Sequence, residues 1–296
     1  MKRIITRQEG KALGFLLPTI VLLAIFFVWP IVLSFYYSMT NMTLSGSKAV
    51  NFDFVGFQNF TRLFADPLFR TSFMNTLIFL VFSAIIGQLV FGFIIAYLMK
   101  QKNQFVRSTV GLITLIGWIM PEVVVSFCMV AFFNRDGSLS MILQSIGILK
   151  EPVAWLVSFP MVSVVIANIW HGTAFSMMQF QAALDDVPAE IEESANLDGA
   201  NSITKFFKIY LPIASPQVFY VVFLNILTSF KSFTMIKMLF GTNEDGLKVL
   251  NSQIYQNGIV QSRFETACVY SLALCLLIFL VTRIQFILEK RMVHYQ

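Results

Sequence analysis

DDVPAEIEESANLDGANSITKFFKIYLP, residues 185 to 212, is a polar interruption between two long apolar runs, and it holds six of the chain's sixteen acids. Against Asp185, Asp186, Glu190, Glu192, Glu193 and Asp198 stand only Lys205 and Lys208, so the stretch is net acidic inside a chain of net charge +5. Hydrocarbon does not tolerate such a segment, which therefore belongs in water. Its local chemistry predicts two short helices and a turn. Asp185 or Asp186 caps the first helix, with Pro188 in its first turn, and Asp198-Gly199 makes the turn. Asn201 or Ser202 caps the second, and Pro212 stops it.

The rest of the chain explains why this interruption stands out. Of 296 residues, 57% are apolar and 12% charged, with a mean hydropathy of +0.74, against about 25% charged in ordinary soluble domains. This is the composition of a polytopic membrane protein, and the 32 Phe residues suit lipid-facing and helix-packing positions. The basic balance does not point to nucleic acid, because Lys and Arg flank apolar spans instead of forming one patch. Cys128, Cys268 and Cys275 lie in apolar segments without C-x-x-C spacing, so neither zinc nor a disulfide framework is indicated. The N-terminal MKRIITRQEGK resembles the start of a signal peptide, but the apolar run after it continues to about Tyr37 without a small-residue cleavage site. We read it as a retained first helix.

A spanning helix needs about 20 apolar residues. Six segments qualify, at roughly 13 to 37, 74 to 99, 106 to 133, 153 to 181, 213 to 238 and 265 to 288. The expectation is an all-α membrane protein with six transmembrane helices, one domain over residues 1 to 296, and both termini on the same side. Taking that side as cytoplasm puts twelve Lys and Arg inside (among them Lys2, Arg3, Lys100, Lys102, Arg107, Lys205 and Lys208) and seven outside, which agrees with the positive-inside rule. The acidic stretch then lies in the cytoplasm.

Glu193-Ser194-Ala195, three residues, Gly199, nine residues, then Ile209-Tyr210-Leu211-Pro212 resembles the EAA loop of ABC importer permeases, E-A-A-x3-G-x9-I-x-L-P. Ser194 replaces the usual first Ala. A second segment, VGFQNFTRLFADPLFRTSFMNTLIF, is similar to the one that opens the core of carbohydrate-type, in particular maltose-type, permeases. The matching positions are Val55-Gly56-Phe57, Asn59-Phe60, Asp66-Pro67, Phe69 and Asn75-Thr76. It also reads as an amphipathic stretch on the outer face, with Phe57, Phe60, Leu63 and Phe64 at helical spacing. The resemblance implies the type I importer transmembrane fold in a bacterial inner membrane. Its implied partners are a second homologous permease subunit, two ATPase subunits, an extracytoplasmic solute-binding protein and a sugar substrate. ATP and Mg would be bound by the partner ATPases and no cofactor by this chain. Glu193, Ser194, Ala195, Asp198, Gly199 and Ala200 would couple to an ATPase groove, with Gly199 at the turn where Gly adopts a left-handed backbone most easily.

Within the spans, Pro121-Glu122 falls near the middle of the third. An intramembrane carboxylate avoids lipid, so Glu122 faces the bundle interior, a partner or a water-filled path, or ties two helices together. On the fourth span Asn168, His171, Phe175 and Gln179 recur at helical spacing beside Trp170. On the fifth, Asn225, Ser229, Ser232 and Ile236 share a face, with Thr228 alongside and Lys231 near the outer half. The resemblance implies that this helix lines the sugar site, for which hydroxyl-binding Asn, Ser and Thr with aromatic platforms are suited. The competing reading is helix-to-helix hydrogen bonding by small polar residues. Lys231 has three readings: a pair with Glu122, snorkelling to the outer surface, or contact with an acidic substrate. His171 has no second imidazole near it in sequence, so a metal site is not expected.

GTNEDGLK, residues 241 to 248, resembles a phosphate-binding loop until Leu247-Lys248 replaces Lys and Ser/Thr, so it is not read as a nucleotide site. With no Walker A sequence, nucleophile elbow or metal-ligand cluster, the chain is expected to be a non-catalytic subunit of an ATP-driven importer for a sugar or oligosaccharide. An importer of another small polar solute, a secondary transporter using Glu122 and Lys231, and a membrane-embedded enzyme are the alternatives.

Overall fold

The computed structural model describes residues 7–100, 102–241 and 247–293. Lys2, Arg3, His294 and the core of the GTNEDGLK stretch lie outside the described residues. Among those described the chain is helical without strands, apart from an isolated bridge between Thr40 and Phe54. Four helices are long and apolar enough to cross a membrane, and two further bent pairs bring the number to six. Four of the six expected spans are thus continuous helices, and the third and fifth are met by bent pairs that count as spans only if each pair crosses as one.

The helices group into two compact units. The first, Met1–Arg70 with Gln253–Leu276, opens on α1 (Arg7–Leu23), which passes through a wide turn, Ala24–Val28, into α2 (Trp29–Ser38). An 18-residue apolar stretch of Gly14–Ser38 has no buried residue, and the end of this segment, at Tyr37 and Ser38, packs against the rest of the unit. After α2 the chain turns out of the helix, held by reciprocal bonds. The Asp53 amide donates to Asn41 Oδ1 at 2.8 Å and the Asn41 amide to the Asp53 carbonyl at 3.1 Å. In α3 (Gln58–Ala65), Asn59 is buried and donates to the Ser38 and Thr40 carbonyls at 2.9 and 2.6 Å, while Leu63 is buried and Phe57 and Phe64 stay exposed. The expected amphipathic stretch is thus a short helix whose inner face is pinned by an amide as well as by apolar contact. The Leu44 amide to the Ser262 carbonyl, 2.8 Å, and the Tyr37 ring against Phe264 complete the unit.

The second unit, Thr71–Ser252 with Leu277–Gln296, carries the elements that matter for function. α4 (Pro67–Phe79) leads through a wide turn, Leu80–Gly87, into α5 (Gln88–Lys100), and α5 packs along α10 (Pro160–Asp185). Gly92 permits this approach. A Cβ there would lie 2.4 Å from Ser176 Cβ and 3.0 Å from the Met177 nitrogen, so a larger residue would wedge the two helices apart.

The third span is α6 (Gln104–Ile119) and α7 (Glu122–Phe133), which α8 (Ser138–Ser145) follows; the two limbs diverge by 101°. The cause is Pro121, which has no amide to donate and drives Met120 to an extended ψ of 133°. Glu122 consequently sits in the first turn of α7, not in mid-helix, where the positive helix end favours a carboxylate. α9 (Trp155–Ser158) precedes α10, which runs four residues beyond the expected end at 181. Within the acidic stretch, α11 (Ala189–Leu197) and α12 (Ser202–Lys205) lead into α13 (Leu211–Lys231). The fifth span breaks at Ser232 before α14 (Phe233–Phe240), which packs on α7. The segment after the Pro121 break and the short helix after Ser232 thus lie together. The remaining helices are α15 (Leu250–Tyr255) and α16 (Phe264–Val293).

Candidate functional site

The acidic stretch folds as a helix, a glycine turn and a second helix, with three local departures from expectation. Neither Asp185 nor Asp186 caps α11. Asp185 is the last residue of α10 and pairs with Arg107, Asp186 closes that helix, and Pro188 leads into α11 without a side-chain cap. α10 extends this far because Leu184, in its last turn, is fully buried in the core. Glu190 and Glu192 occupy the first turn of α11, where the helix dipole favours them.

At the far end the Ala200 amide reaches back to the Ala195 carbonyl at 2.9 Å and the Gly199 amide to the Asn196 carbonyl at 3.1 Å. This is a Schellman closure, and Gly199 at φ +74° supplies the left-handed residue it requires. Of the two candidate caps for the next helix, Asn201 is the one used, its Oδ1 accepting from the Thr204 amide at 2.8 Å. The helix does not stop at Pro212. It continues through a wide turn, Phe206–Tyr210, whose following amide, Leu211, bonds the Phe206 carbonyl, and Pro212 falls in the first turn of α13 where no amide is needed. The chain bends by 65° between Ser202–Ser215 and Gln217–Lys231 instead.

One face of this module is anchored and the other is open. Ala195 is buried, and the Tyr97 hydroxyl donates to the Ser202 carbonyl at 2.7 Å. Phe93, Tyr97, Phe180, Phe206 and Tyr210 form an edge-to-face aromatic cluster with centroids 5.0 to 5.4 Å apart. Lys100 Nζ pairs with Glu192 at 2.6 Å. Glu193, Ser194, Asp198 and Gly199 are exposed, and Ala200 is half-buried. Beside them Leu197 is 89% exposed, Ile203 69% and Phe207 61%. These apolar side chains stand open on an otherwise charged module. A shallow concavity runs between Glu190, Ile191, Ser194, Ala195, Asp198 and Ile209.

The polar stripes within the spans behave differently. Asn168, Asn225, Ser229 and Ser232 are all buried. Asn168 Nδ2 donates to Ser83 Oγ at 2.8 Å and to Ser229 Oγ at 3.0 Å, Ser232 Oγ donates to Asn168 Oδ1 at 3.3 Å, and Gln88 Nε2 reaches the Asn168 carbonyl at 2.8 Å. Asn225 Nδ2 donates to Ser176 Oγ at 2.9 Å and to the Ala84 carbonyl at 3.3 Å. The stripe of the fifth span thus meets that of the fourth across the wide turn of the second, and the three are cross-linked inside this chain.

Thr228 is exposed but its hydroxyl bonds its own helix at the Leu224 and Asn225 carbonyls. Trp170 is half exposed, Phe175 stacks on Trp118 at 5.6 Å, and His171 faces the backbone of Trp118 and Met120 while its Nε2 finds no hydrogen-bond partner. Among the described residues no ion pair joins Glu122 to Lys231, and Lys231 is exposed. Sequence reasoning missed Ser83, Gln88, Ser176, Tyr97 and Lys100. Gln88, an amide inside a long apolar run, is the one that carried a signal.

The family model described as binding-protein-dependent transport system inner membrane component matches residues 88–294. The chain belongs to this family. As an inner membrane component it is a multi-pass membrane protein and a transport subunit rather than an enzyme, and the resemblance to ABC importer permeases is thereby upheld. It is 30% identical over 282 residues to the sn-glycerol-3-phosphate transport system permease protein UgpA of Pectobacterium atrosepticum, covering 95% of this chain and 94% of that one. Its fold matches a bacterial ABC transporter involved in the import of the acidic polysaccharide alginate, with TM-score 0.80, 21% identity and 96% of each chain covered. It also matches the inward-facing MetNI methionine ABC transporter, with TM-score 0.51, 17% identity, 80% of this chain and 98% of that one. The architecture is that of a type I importer transmembrane subunit.

Proposed function

We propose that this permease is one of two homologous membrane-spanning subunits of an ATP-driven importer for a sugar or a related hydroxylated solute. Both termini and the residue 185–212 module face the cytoplasm in this reading. The observation that carries it is the module itself. Its inner face is tied to α5 and α10, while Glu193, Leu197, Asp198 and Gly199 stand open beside Ile203 and Phe207. An ATPase groove fits that pattern: apolar side chains enter it, and Glu193 and Asp198 meet cations at its rim. Nucleotide-driven closure of two ATPases would then carry the module, and the spans on either side of it would rock. ATP and Mg belong to those partners, and a solute-binding protein delivers cargo from outside.

The cargo reading rests on the relatives, whose named substrates are sn-glycerol-3-phosphate and alginate. Both are hydroxyl-rich and anionic. Lys231, exposed at the end of α13, is the residue suited to an acidic group, with Trp170 and Phe175 as apolar platforms. The buried amides and hydroxyls of the fourth and fifth spans then hold the helices in register and contribute to the path through that framework.

The test is affinity purification of the tagged chain from its native membrane, reconstitution of the complex in vesicles with its binding protein, and uptake of sn-glycerol-3-phosphate, an alginate oligosaccharide and a neutral disaccharide with and without ATP. Recovery of an ATPase and a second permease, with ATP-dependent uptake, is the expected outcome. Transport by the chain alone without ATP would overturn the proposal.

A further inference from the structure

The short basic turn between the second and third spans, Lys100 to Arg107, reads in the sequence as topological charge and nothing more. In the structure its two ends reach into the joint between α10 and α11. Only Asp186, Val187 and Pro188 separate those helices. The Lys100 side chain is 14% exposed, and its ammonium meets three groups: the Leu184 carbonyl at 2.6 Å, Glu192 Oε1 at 2.6 Å and the Tyr210 ring at 5.4 Å. Leu184 belongs to the last turn of α10, the negative end of that helix, and Glu192 to the first turn of α11. One cation therefore bridges the end of one helix, the start of the next and the wide turn leading into α13.

Arg107, in the first turn of α6, pairs with Asp185 at the end of α10. Gln181, one turn earlier, faces the same guanidinium with its amide oxygen. Lys102, between the two, is exposed and takes no part in this arrangement.

We infer that Lys100 and Arg107 are positioning residues that bracket the α10–α11 joint, so that the second and third spans move with the coupling helix and not only the fourth and fifth, which are joined to it covalently. The inference rests on the coupling role proposed above for residues 185–212. A loop linked through three residues and unbraced would swivel at Val187-Pro188 and lose displacement before it reached α5 and α6. Glu192, next in sequence to the outward Glu193, is the internal counter-ion, which divides the adjacent acids between two tasks.

The experiment is hydrogen exchange by mass spectrometry on the whole complex purified from its native membrane, with and without Mg-ATP, following residues 189–197 and residues 102–107. In the unaltered complex both segments change their exchange when nucleotide binds. In Lys100→Met the change at 102–107 falls roughly tenfold, the equivalent of about 1.4 kcal/mol, while that at 189–197 persists. Lys100→Arg retains the response, and Lys100→Met/Glu192→Gln is no worse than Lys100→Met alone. If Lys100→Met prevents assembly, Glu192→Gln, which leaves the Leu184 and Tyr210 contacts in place, takes its role with a smaller loss in the same direction. An undiminished response at 102–107 in an assembled Lys100→Met or Glu192→Gln complex would overturn the bracket and leave the coupling reading intact. No nucleotide response at 189–197 in the unaltered complex would overturn both.

Discussion

The acidic module and the buried stripe use the same residue types to opposite ends. Both are built from Asn, Ser and small apolar residues on helices. In the module, Ser194 and Asp198 are open, and the backbone is satisfied by a glycine turn and an Asn201 cap that need no distant partner. In the stripe, Asn168 and Asn225 are closed off by Ser83, Ser176, Ser229 and Ser232 from other spans. Water accounts for the contrast. A polar side chain facing solvent needs no protein partner, whereas one between helices is stabilised by hydrogen bonds to its neighbours.

Substitutions can break or sharpen that contrast. The largest effect is expected at Gly199→Val. No atom lies within 4 Å of a Cβ built there, so the damage is backbone strain of about 1–2 kcal/mol or more for a β-branched residue held left-handed. Uptake by the assembled complex should fall at least roughly tenfold with ATP hydrolysis retained; normal uptake would show that the turn does not set the coupling geometry. Asn225→Leu comes next. It strands Ser176 Oγ and the Ala84 carbonyl, and should lower stability in detergent by about 1–2 kcal/mol. An unchanged unfolding midpoint with a raised half-saturation for uptake would instead return Asn225 to the cargo path.

Lys231→Met should reduce the preference for an acidic over a neutral cargo by roughly threefold, as befits an exposed charge. Equal loss for both cargoes would assign the lysine to the bilayer surface. The smallest change is expected for Ser194→Ala, within about 0.5 kcal/mol and without loss of uptake, because Ser194 is exposed at the place where the family pattern has Ala. A clear loss there would mean that the hydroxyl itself meets the ATPase.

How much could be read beforehand differs between the two regions for the same physical reason. The two helices of the module, its glycine turn and the Asn201 cap follow from neighbours in sequence and were legible. Its entry and exit were not. Asp185 was drawn to Arg107 on another span, and the wide turn at Phe206–Tyr210 carried the helix past Pro212. In the third span Pro121 was visible, but the 101° divergence and the move of Glu122 to a helix start needed the fold. Apolar length located four continuous spans, since hydrocarbon sets that length directly, and it gave no warning that the other two segments are bent pairs.

By itself the sequence determined what depends on composition and short spacing: residence in a membrane, the two helices of the acidic module with Gly199 at their turn, and the permease family. Tertiary structure decided which polar side chains are free. Lys100 lies far from Glu192 in sequence, as Asn168 does from Ser83 and Ser229, and only packing α5 against α10 and α13 brings such groups to hydrogen-bonding distance. Periodicity can place a side chain on a face, but what that face meets is set by the helices across from it.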